Sequence, residues 1–266
     1  MDHYLLSTAM AAIEAAEHEL NRHTNVVIAT KTSRNDIVTA ADRALEATIR
    51  TKIATLRPND SHLGEENGVL GPAGSDTRWI IDPIDGTVNF AYGIPSYAVS
   101  IAVEVRGIVE LGVVADLVRH ERFVAVRNQG ATLDGRSIAP TQTDTLIDAL
   151  IGVGMSYDPS IRLTQADILA QLAGSVRDFR QSGVASLDLC WTACGRLDGY
   201  FETGLKPWDY MAGALILQEA GGQSIIDDPG LNGNSLTLGA GPNLFPTLLS
   251  AINLAIEGQK PERYRH

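Results

Sequence analysis

Apolar residues recur every three or four positions between residues 4 and 23, at Leu5, Ala9, Ala12, Ala16 and Leu20, which predicts an amphipathic helix. Leu45, Ile49 and Ile53 share one face of a second predicted helix over about 40–56. Thr39 stands where its N-cap belongs, and Asp42 completes a Thr-x-x-Asp capping pattern. A polar stretch, 30–36, lies between the two. Residues 60–78 are rich in Gly, Asp, Asn and Ser and read as loop. The apolar triplet Trp79-Ile80-Ile81 predicts a short strand that stops at Asp82-Pro83, because proline breaks the ladder. Three further strand-like runs follow at 97–105, 108–114 and 122–126, with Arg106-Gly107 placed to make a hairpin. This half reads as helices on a largely antiparallel sheet.

The pattern changes near Pro140-Thr141-Gln142. Strands are expected at 149–153, 176–179, 200–202 and 224–226. Between and after them come predicted helices at 161–173, 184–194, 208–220 and about 246–257. Gly195 is placed to cap the second of these helices and Gly221-Gly222 to end the third. Alternation of strand and helix predicts an α/β second half. The expected division is therefore an N-terminal α+β part, 1–140, and a C-terminal α/β part, 141–266. The tail after Gly258 is charged.

Composition narrows the function classes. With 266 residues and 44% apolar content the chain can bury a sizeable core, as one large domain or two modest ones. No run of about 18 apolar residues occurs, so no transmembrane helix and no membrane partner are expected. Met1-Asp2-His3-Tyr4 does not open a secretory signal. Cys190 and Cys194 cannot make a disulfide scaffold and read as small core residues, which fits a reducing cytoplasm. The six His have no metal-ligand spacing. Lys+Arg 21 against Asp+Glu 32 gives a net charge of −11, which disfavours nucleic acid as a partner.

Four groups of acidic residues do not fall on ordinary solvated helix faces. Asp82 and Asp85 bracket a Pro-Ile turn directly after an apolar strand. Two carboxylates across such a turn can converge on a hard cation, with the Ile84 carbonyl as a further oxygen donor. Gly86-Thr87 then offers bare backbone N–H groups to a phosphate. The same residues also fit an Asx-type turn with a capping Asp. Glu65-Glu66 sits in a glycine-flanked loop, where solvated glutamates are ordinary. Asp42 and Asp209 each stand in a first helical turn, where the helix dipole alone favours an acid.

Taken together, Gly64-Glu65-Glu66, the run from Trp79 through Asp82-Pro83-Ile84-Asp85-Gly86-Thr87-Val88-Asn89-Phe90, Trp208-Asp209 with Ala212-Gly213-Ala214, and Glu219-Ala220-Gly221-Gly222 resemble the inositol monophosphatase family. The likeness runs from near Lys31, through Asp36-Ile37-Val38-Thr39 and Asp42, to about Gly222. It implies a Mg²⁺-dependent, lithium-sensitive phosphomonoesterase with a layered α-β-α-β-α sandwich, in which a metal-activated water attacks phosphorus directly. Glu65, Asp82 and the Ile84 carbonyl match the ligands of a first metal. Asp82, Asp85 and Asp209 match those of a second, and Glu65 those of a weaker third. Glu65 also matches the acid beside the water. Thr87 matches the hydroxyl that helps activate it, and Asp42 the carboxylate that orients Thr87. Gly86 and Thr87 match phosphate donors, and Glu202 an acid that binds sugar hydroxyls. Ala185 lies in the segment lining the alcohol pocket, and Glu66 reads as support for its neighbours. Lys31 belongs to a loop that in the family can close over the metals. Lys206-Pro207 stands where many animal relatives carry His-Cys, beside the alcohol. The implied substrate is inositol monophosphate, with histidinol phosphate or another small phosphomonoester as the alternative. A non-catalytic binding protein retaining the fold is a further alternative. Relatives are commonly homodimers, and a homodimer is expected here.

Overall fold

A computed structural model describes residues 3–20, 22, 28–30, 37–231 and 234–258. The Lys31–Asp36 stretch and the tail after Gly258 lie outside the described residues. Helices α1 (His3–Leu20) and α2 (Ala40–Leu56) form where the apolar periodicity places them. Between them β1 (Ile28–Thr30) and β2 (Ile37–Thr39) pair antiparallel.

The large sheet holds β3 (Ser61–Gly64), β4 (Gly68–Leu70), β5 (Thr77–Asp85), β6 (Ala98–Val105), β7 (Ile108–Asp116), β8 (Glu121–Val126), β9 (Ala131–Leu133) and β10 (Arg136–Ser137). Its order is β10-β9-β8-β7-β6-β5-β3-β4, antiparallel except where β3 runs parallel to β5. The short helix α3 (Thr87–Tyr92) joins β5 to β6. The second sheet holds β11 (Leu150–Val153), β12 (Asp178–Arg180), β13 (Gly199–Thr203), β14 (Gln223–Leu231) and β15 (Asn234–Ala240). Its order is β12-β11-β13-β15-β14, with β12, β11 and β13 mutually parallel and the remaining pairs antiparallel. Helices α4 (Pro159–Leu172), α5 (Ala185–Ala193), α6 (Pro207–Glu219) and α7 (Phe245–Glu257) complete the fold.

The strand period of two separates the cores. Trp79 and Ile81 of β5 and Val99, Ile101 and Val103 of β6 face α1 and α2, while Ile80, Ala98 and Ala102 face α5 and α6. Helix α6 has no polar face through Ala212–Leu217, because the large sheet lies on one side and β14 and β15 on the other. A third core joins β11, β13 and β15 to α4 and α7. The layers are therefore α-β-α-β-α, as the resemblance implies.

Three local expectations are corrected. The 60–78 stretch carries β3 and β4: β3 pairs antiparallel with the adjacent β4 and parallel with β5, and the second pairing is one that polar local composition cannot reveal. The strand beginning before Trp79 does not stop at Asp82 but continues to Asp85, and Pro83 falls inside a register shift against β6, where its missing N–H costs no ladder bond. Strand β15 has no counterpart among the expected strands, although it is the central antiparallel partner of both β13 and β14. The Arg106-Gly107 hairpin forms, with both residues at positive φ (53° and 81°). Cys190 and Cys194 are free thiols, the first buried between the sheets.

Candidate active site

A cavity of about 560 Å³ opens where the end of β5 meets the starts of α5 and α6. It is lined by Glu65, Asp82, Ile84, Asp85, Gly86, Thr87, Ala185, Glu202 and Asp209, residues that the sequence singles out from five separate segments. Asp42 lies behind this wall: the Thr87 hydroxyl is 3.1 Å from Asp42 Oδ1 and 3.0 Å from the Ile84 carbonyl oxygen. Glu66 is not among the lining residues; its backbone N–H donates to Glu46 Oε2 at 2.7 Å.

The register break in β5 explains how the Asp pair reaches the cavity. Asp82 still pairs with Ser100 and Asp85 with Ala98, so the strand bulges between them. Gly86 then takes φ 94°, a left-handed conformation that turns the chain into α3. A Cβ there would also meet Val184 Cγ2 at 2.9 Å and the Ser96 carbonyl at 3.0 Å, so only glycine fits. Asn89 of α3 donates to the Ser96 and Ser182 carbonyls, tying this turn to the loop before α5.

The electrostatics are those of crowded, poorly hydrated acids. Asp82 is buried, and its Oδ1 has no hydrogen-bond partner. Burial raises its pKa well above the ordinary range, and Glu65, Asp85, Asp209 and Asp42 raise it further. Asp85 is raised to about 6 by burial, against hydrogen bonds from Ser186, Ala185 and Gly86; the Ser186 N–H reaches its Oδ2 at 2.7 Å. Burial likewise raises Asp209, with Asp85 adding to it, while the Lys206 N–H donates to Asp209 Oδ2 at 2.7 Å. Glu202 is pushed up to about 7 by burial, opposed by the Tyr200 hydroxyl, which donates to its Oε2 at 2.6 Å.

Among the described residues no three His, Cys, Asp or Glu side chains form a closed cluster ready to hold an ion. The donor set nevertheless fits a hard cation. It consists of oxygen ligands only, and an unpartnered carboxylate oxygen is buried among like charges. Two unit charges about 4 Å apart at an effective dielectric of 20 repel by about 4 kcal/mol, so added positive charge has a strong energetic preference for this position.

The sequence matches the inositol monophosphatase family over residues 1–244. The chain belongs to the inositol monophosphatase family. It is 45% identical over 233 residues to the inositol-1-monophosphatase of Mycobacterium bovis, covering 84% of this chain and 80% of that one. It is 38% identical over 230 residues, 85% of each, to the Nus factor SuhB of Escherichia coli K12. Its fold superposes on the extragenic suppressor protein suhB of Bartonella henselae with a TM-score of 0.83 and 31% identity over 97% of this chain and 98% of that one. The family is one of metal-dependent phosphatases acting on small phosphomonoesters. No helix among the described residues is long and apolar enough to cross a membrane.

Several residues of the site lie outside the sequence expectations. Ser186 holds Asp85 through its backbone, a contact with no side-chain signature. Asp188 of α5 is buried with one oxygen unpartnered, and burial raises its pKa well above the usual range. A lone acid in the first turn of a largely apolar helix is the available signal. Tyr157 lines the same cavity while more than half exposed, and desolvation at the cavity wall together with the surrounding carboxylates raises its pKa. Lys206 stands at the exposed rim, so its side chain is both solvated and part of the cavity lining.

Proposed function

We propose that the cavity hydrolyses inositol monophosphate to myo-inositol and phosphate with two or three Mg²⁺. Glu65, Asp82, the Ile84 carbonyl, Asp85 and Asp209 would hold the metal ions. On this reading the 1–140 part brings most of these ligands and the 141–266 part completes the site with Asp209 and Glu202. The observation that carries it is the buried Asp82 oxygen with no partner, set among acids that raise each other's pKa. Bound Mg²⁺ would supply the positive charge that draws a dianionic phosphate to a −11 chain and lowers the pKa of the attacking water.

The chain's own residues do the rest. Asp42 accepts from the Thr87 hydroxyl and fixes its direction, so that Thr87 presents a lone pair to the water. Glu65 takes the proton that the water gives up as its oxygen bonds to phosphorus and the ester P–O bond breaks, and the departing inositol oxygen takes up a proton from solvent. The backbone N–H groups of Gly86 and Thr87 receive phosphate oxygens. Glu202, already held by Tyr200, accepts from the hydroxyls of the leaving alcohol, and Ala185 closes that end with a small apolar surface. We place the protein in the cytoplasm as a homodimer, with no nucleic-acid partner.

The test is Mg²⁺-dependent phosphate release from inositol 1-phosphate beside histidinol phosphate at equal concentration. Preference for the inositol ester, abolished by EDTA and by Asp85→Asn, is the expected result. Preference for histidinol phosphate would keep the chemistry and overturn the substrate. The name of the Escherichia coli relative favours a second reading, a role in transcription assemblies that does not need turnover. Under that reading, Asp85→Asn would leave the cellular function intact.

A further inference from the structure

Helix α2 carries two adjacent buried stripes. Leu45, Ile49 and Ile53 belong to the hydrophobic core, whereas Asp42, Glu46 and Arg50, each four residues apart, form a polar line that is also buried. Asp42 serves Thr87, as described above. The other two form an ion pair, Arg50 Nε to Glu46 Oε1 at 2.7 Å, with both side chains under a tenth exposed. Such a pair is costly to desolvate and is not by itself a reason for stability. Its remaining bonds are all directed at one place, the turn between β3 and β4. Glu46 Oε2 accepts from the Glu66 N–H at 2.7 Å. Glu46 Oε1 accepts from the Asn67 N–H at 3.2 Å and from Asn67 Nδ2 at 3.0 Å. Arg50 Nη2 donates to the Gly68 carbonyl at 2.7 Å. The contact is so close that a Cβ on Gly64 would sit 2.6 Å from Arg50 Nη2 and 2.8 Å from Glu46 Cδ.

We propose that the Glu46–Arg50 pair is a positioning device for Glu65. It bonds the turn directly after that residue, at the Glu65–Glu66 peptide, at Asn67 and at Gly68, and packs closely against Gly64 before it, and so fixes where the Glu65 carboxylate enters the cavity. The glycine of Gly64-Glu65-Glu66 is then required by the close approach of the pair, and Glu66 contributes its backbone N–H. One helix stripe thus orients two site residues, Thr87 through Asp42 and Glu65 through Glu46 and Arg50. The proposal rests on the metal-binding reading of Glu65.

The test measures Mg²⁺ binding by titration calorimetry, together with exchange of the Glu66 and Asn67 amide protons. Three variants are compared with the unmodified protein. Glu46→Gln/Arg50→Met removes the pair together, so no buried charge is left without a partner. Asn67→Ala removes one grip and leaves the pair in place. Glu65→Gln tests the reading beneath the proposal. The paired variant is expected to bind Mg²⁺ about 10–100-fold more weakly, as for residues that orient metal ligands, with faster amide exchange in the turn and an unchanged far-UV spectrum. Asn67→Ala is expected to weaken binding about threefold, the effect of one lost hydrogen bond. Wild-type Mg²⁺ affinity in the paired variant, with affinity lost in Glu65→Gln, would overturn the positioning role alone. Wild-type affinity in Glu65→Gln would remove the metal reading and the proposal with it. If the paired variant does not fold, Asn67→Ala decides: unaltered affinity despite faster exchange would refute the proposal.

Discussion

On the proposed reading, the alcohol end of the cavity can be disturbed without touching the acids at its phosphate end. A methyl group on Gly154 would lie 1.6 Å from Glu202 Oε2, 2.0 Å from its Cδ and 2.5 Å from Oε1. No such contact can exist, so Gly154→Ala must swing the Glu202 carboxylate away. The atoms displaced are the end of a flexible side chain, so the backbone need not move. What is lost is the 2.6 Å bond from Tyr200, whose ring is fully buried. An unsatisfied buried hydroxyl costs about 1–3 kcal/mol. For a chain of this size that lowers Tm by about 2–4 °C per kcal/mol. The kinetic effect is larger in relative terms. If Glu202 accepts from substrate hydroxyls, losing that bond at about pH 8, where the carboxylate is ionised, removes about 1.5–3 kcal/mol, and about 1.4 kcal/mol is tenfold. KM for inositol 1-phosphate is expected to rise about 10–100-fold while kcat stays within about threefold, the pattern of a lost ground-state contact. Phenyl phosphate, which has no hydroxyls to bind, should show no KM change. In a Glu202→Ala background the Gly154 substitution should add nothing, because the group it displaces is gone. A folded Gly154→Ala protein with wild-type KM for the inositol ester would refute this account of the alcohol pocket.

Gly86→Ala is expected to destabilise by about 1–3 kcal/mol, since alanine is strained at φ 94° and its Cβ meets Val184 and the Ser96 carbonyl; an unchanged thermal midpoint would count against a rigid turn at this position. Glu202 holds its proton up to about pH 7 when folded, against 4.5 as its ordinary value. Its contribution to stability is therefore full below about pH 4.5 and lost as pH rises through about 7. In EDTA the urea midpoint should fall between about pH 5 and pH 8, and Glu202→Gln should flatten that fall; an equal slope in the variant would rule out Glu202 as a source. Mg²⁺ should raise Tm, with about 2.7 kcal/mol of added stability at a concentration about one hundred times Kd. Absence of any Mg²⁺-dependent shift would argue against cation binding at the acids.

What the sequence disclosed, and what it hid, follows the range of the interactions. Helix α2 is legible because its apolar period is complete within the helix itself, at Leu45, Ile49 and Ile53. The Arg106-Gly107 hairpin is legible because a two-residue turn is local chemistry. Strand β3 is hidden because it is stabilised by pairing with β5 across a stretch of polar chain. The continuation of β5 past Pro83 is hidden for a similar reason, since a bulge depends on the facing strand. At the site, the acids singled out in the sequence, Glu65, Asp82, Asp85, Glu202 and Asp209, all line the cavity, whereas Asp188, a lone acid in a largely apolar helix, is missed. Residues acting through a backbone N–H or through the lack of a Cβ, such as Ser186 and Gly154, leave no mark in composition or spacing.

The two ends of the cavity are built from different elements, and this bears on how function can diverge within the family. Glu65 comes from the turn after β3, Asp82 and Asp85 from β5, and Asp209 from the first turn of α6. These positions are fixed by the bulge in β5, by the Ser186 and Lys206 backbone bonds and by the α2 stripe, so changing any one disturbs several others. The opposite end is lined by Gly154 and Tyr157 at the exit of β11, by Glu202 on β13 and by Lys206 at the rim. Here the contacts are few and peripheral: Lys206 is exposed, and Glu202 is held by Tyr200 and by the space that Gly154 leaves. A substitution at 154, 157 or 206 can therefore alter which alcohol is accepted while the acidic end keeps its geometry. On the proposed reading, reaction chemistry is the constrained property of this fold and substrate identity the adjustable one. Exchanging Lys206 should accordingly shift the ratio of kcat/KM between a neutral polyol phosphate and a cationic amino-alcohol phosphate, and leave Mg²⁺ affinity where it was. A change in Mg²⁺ affinity on Lys206→Ala would show that the two ends are not independent.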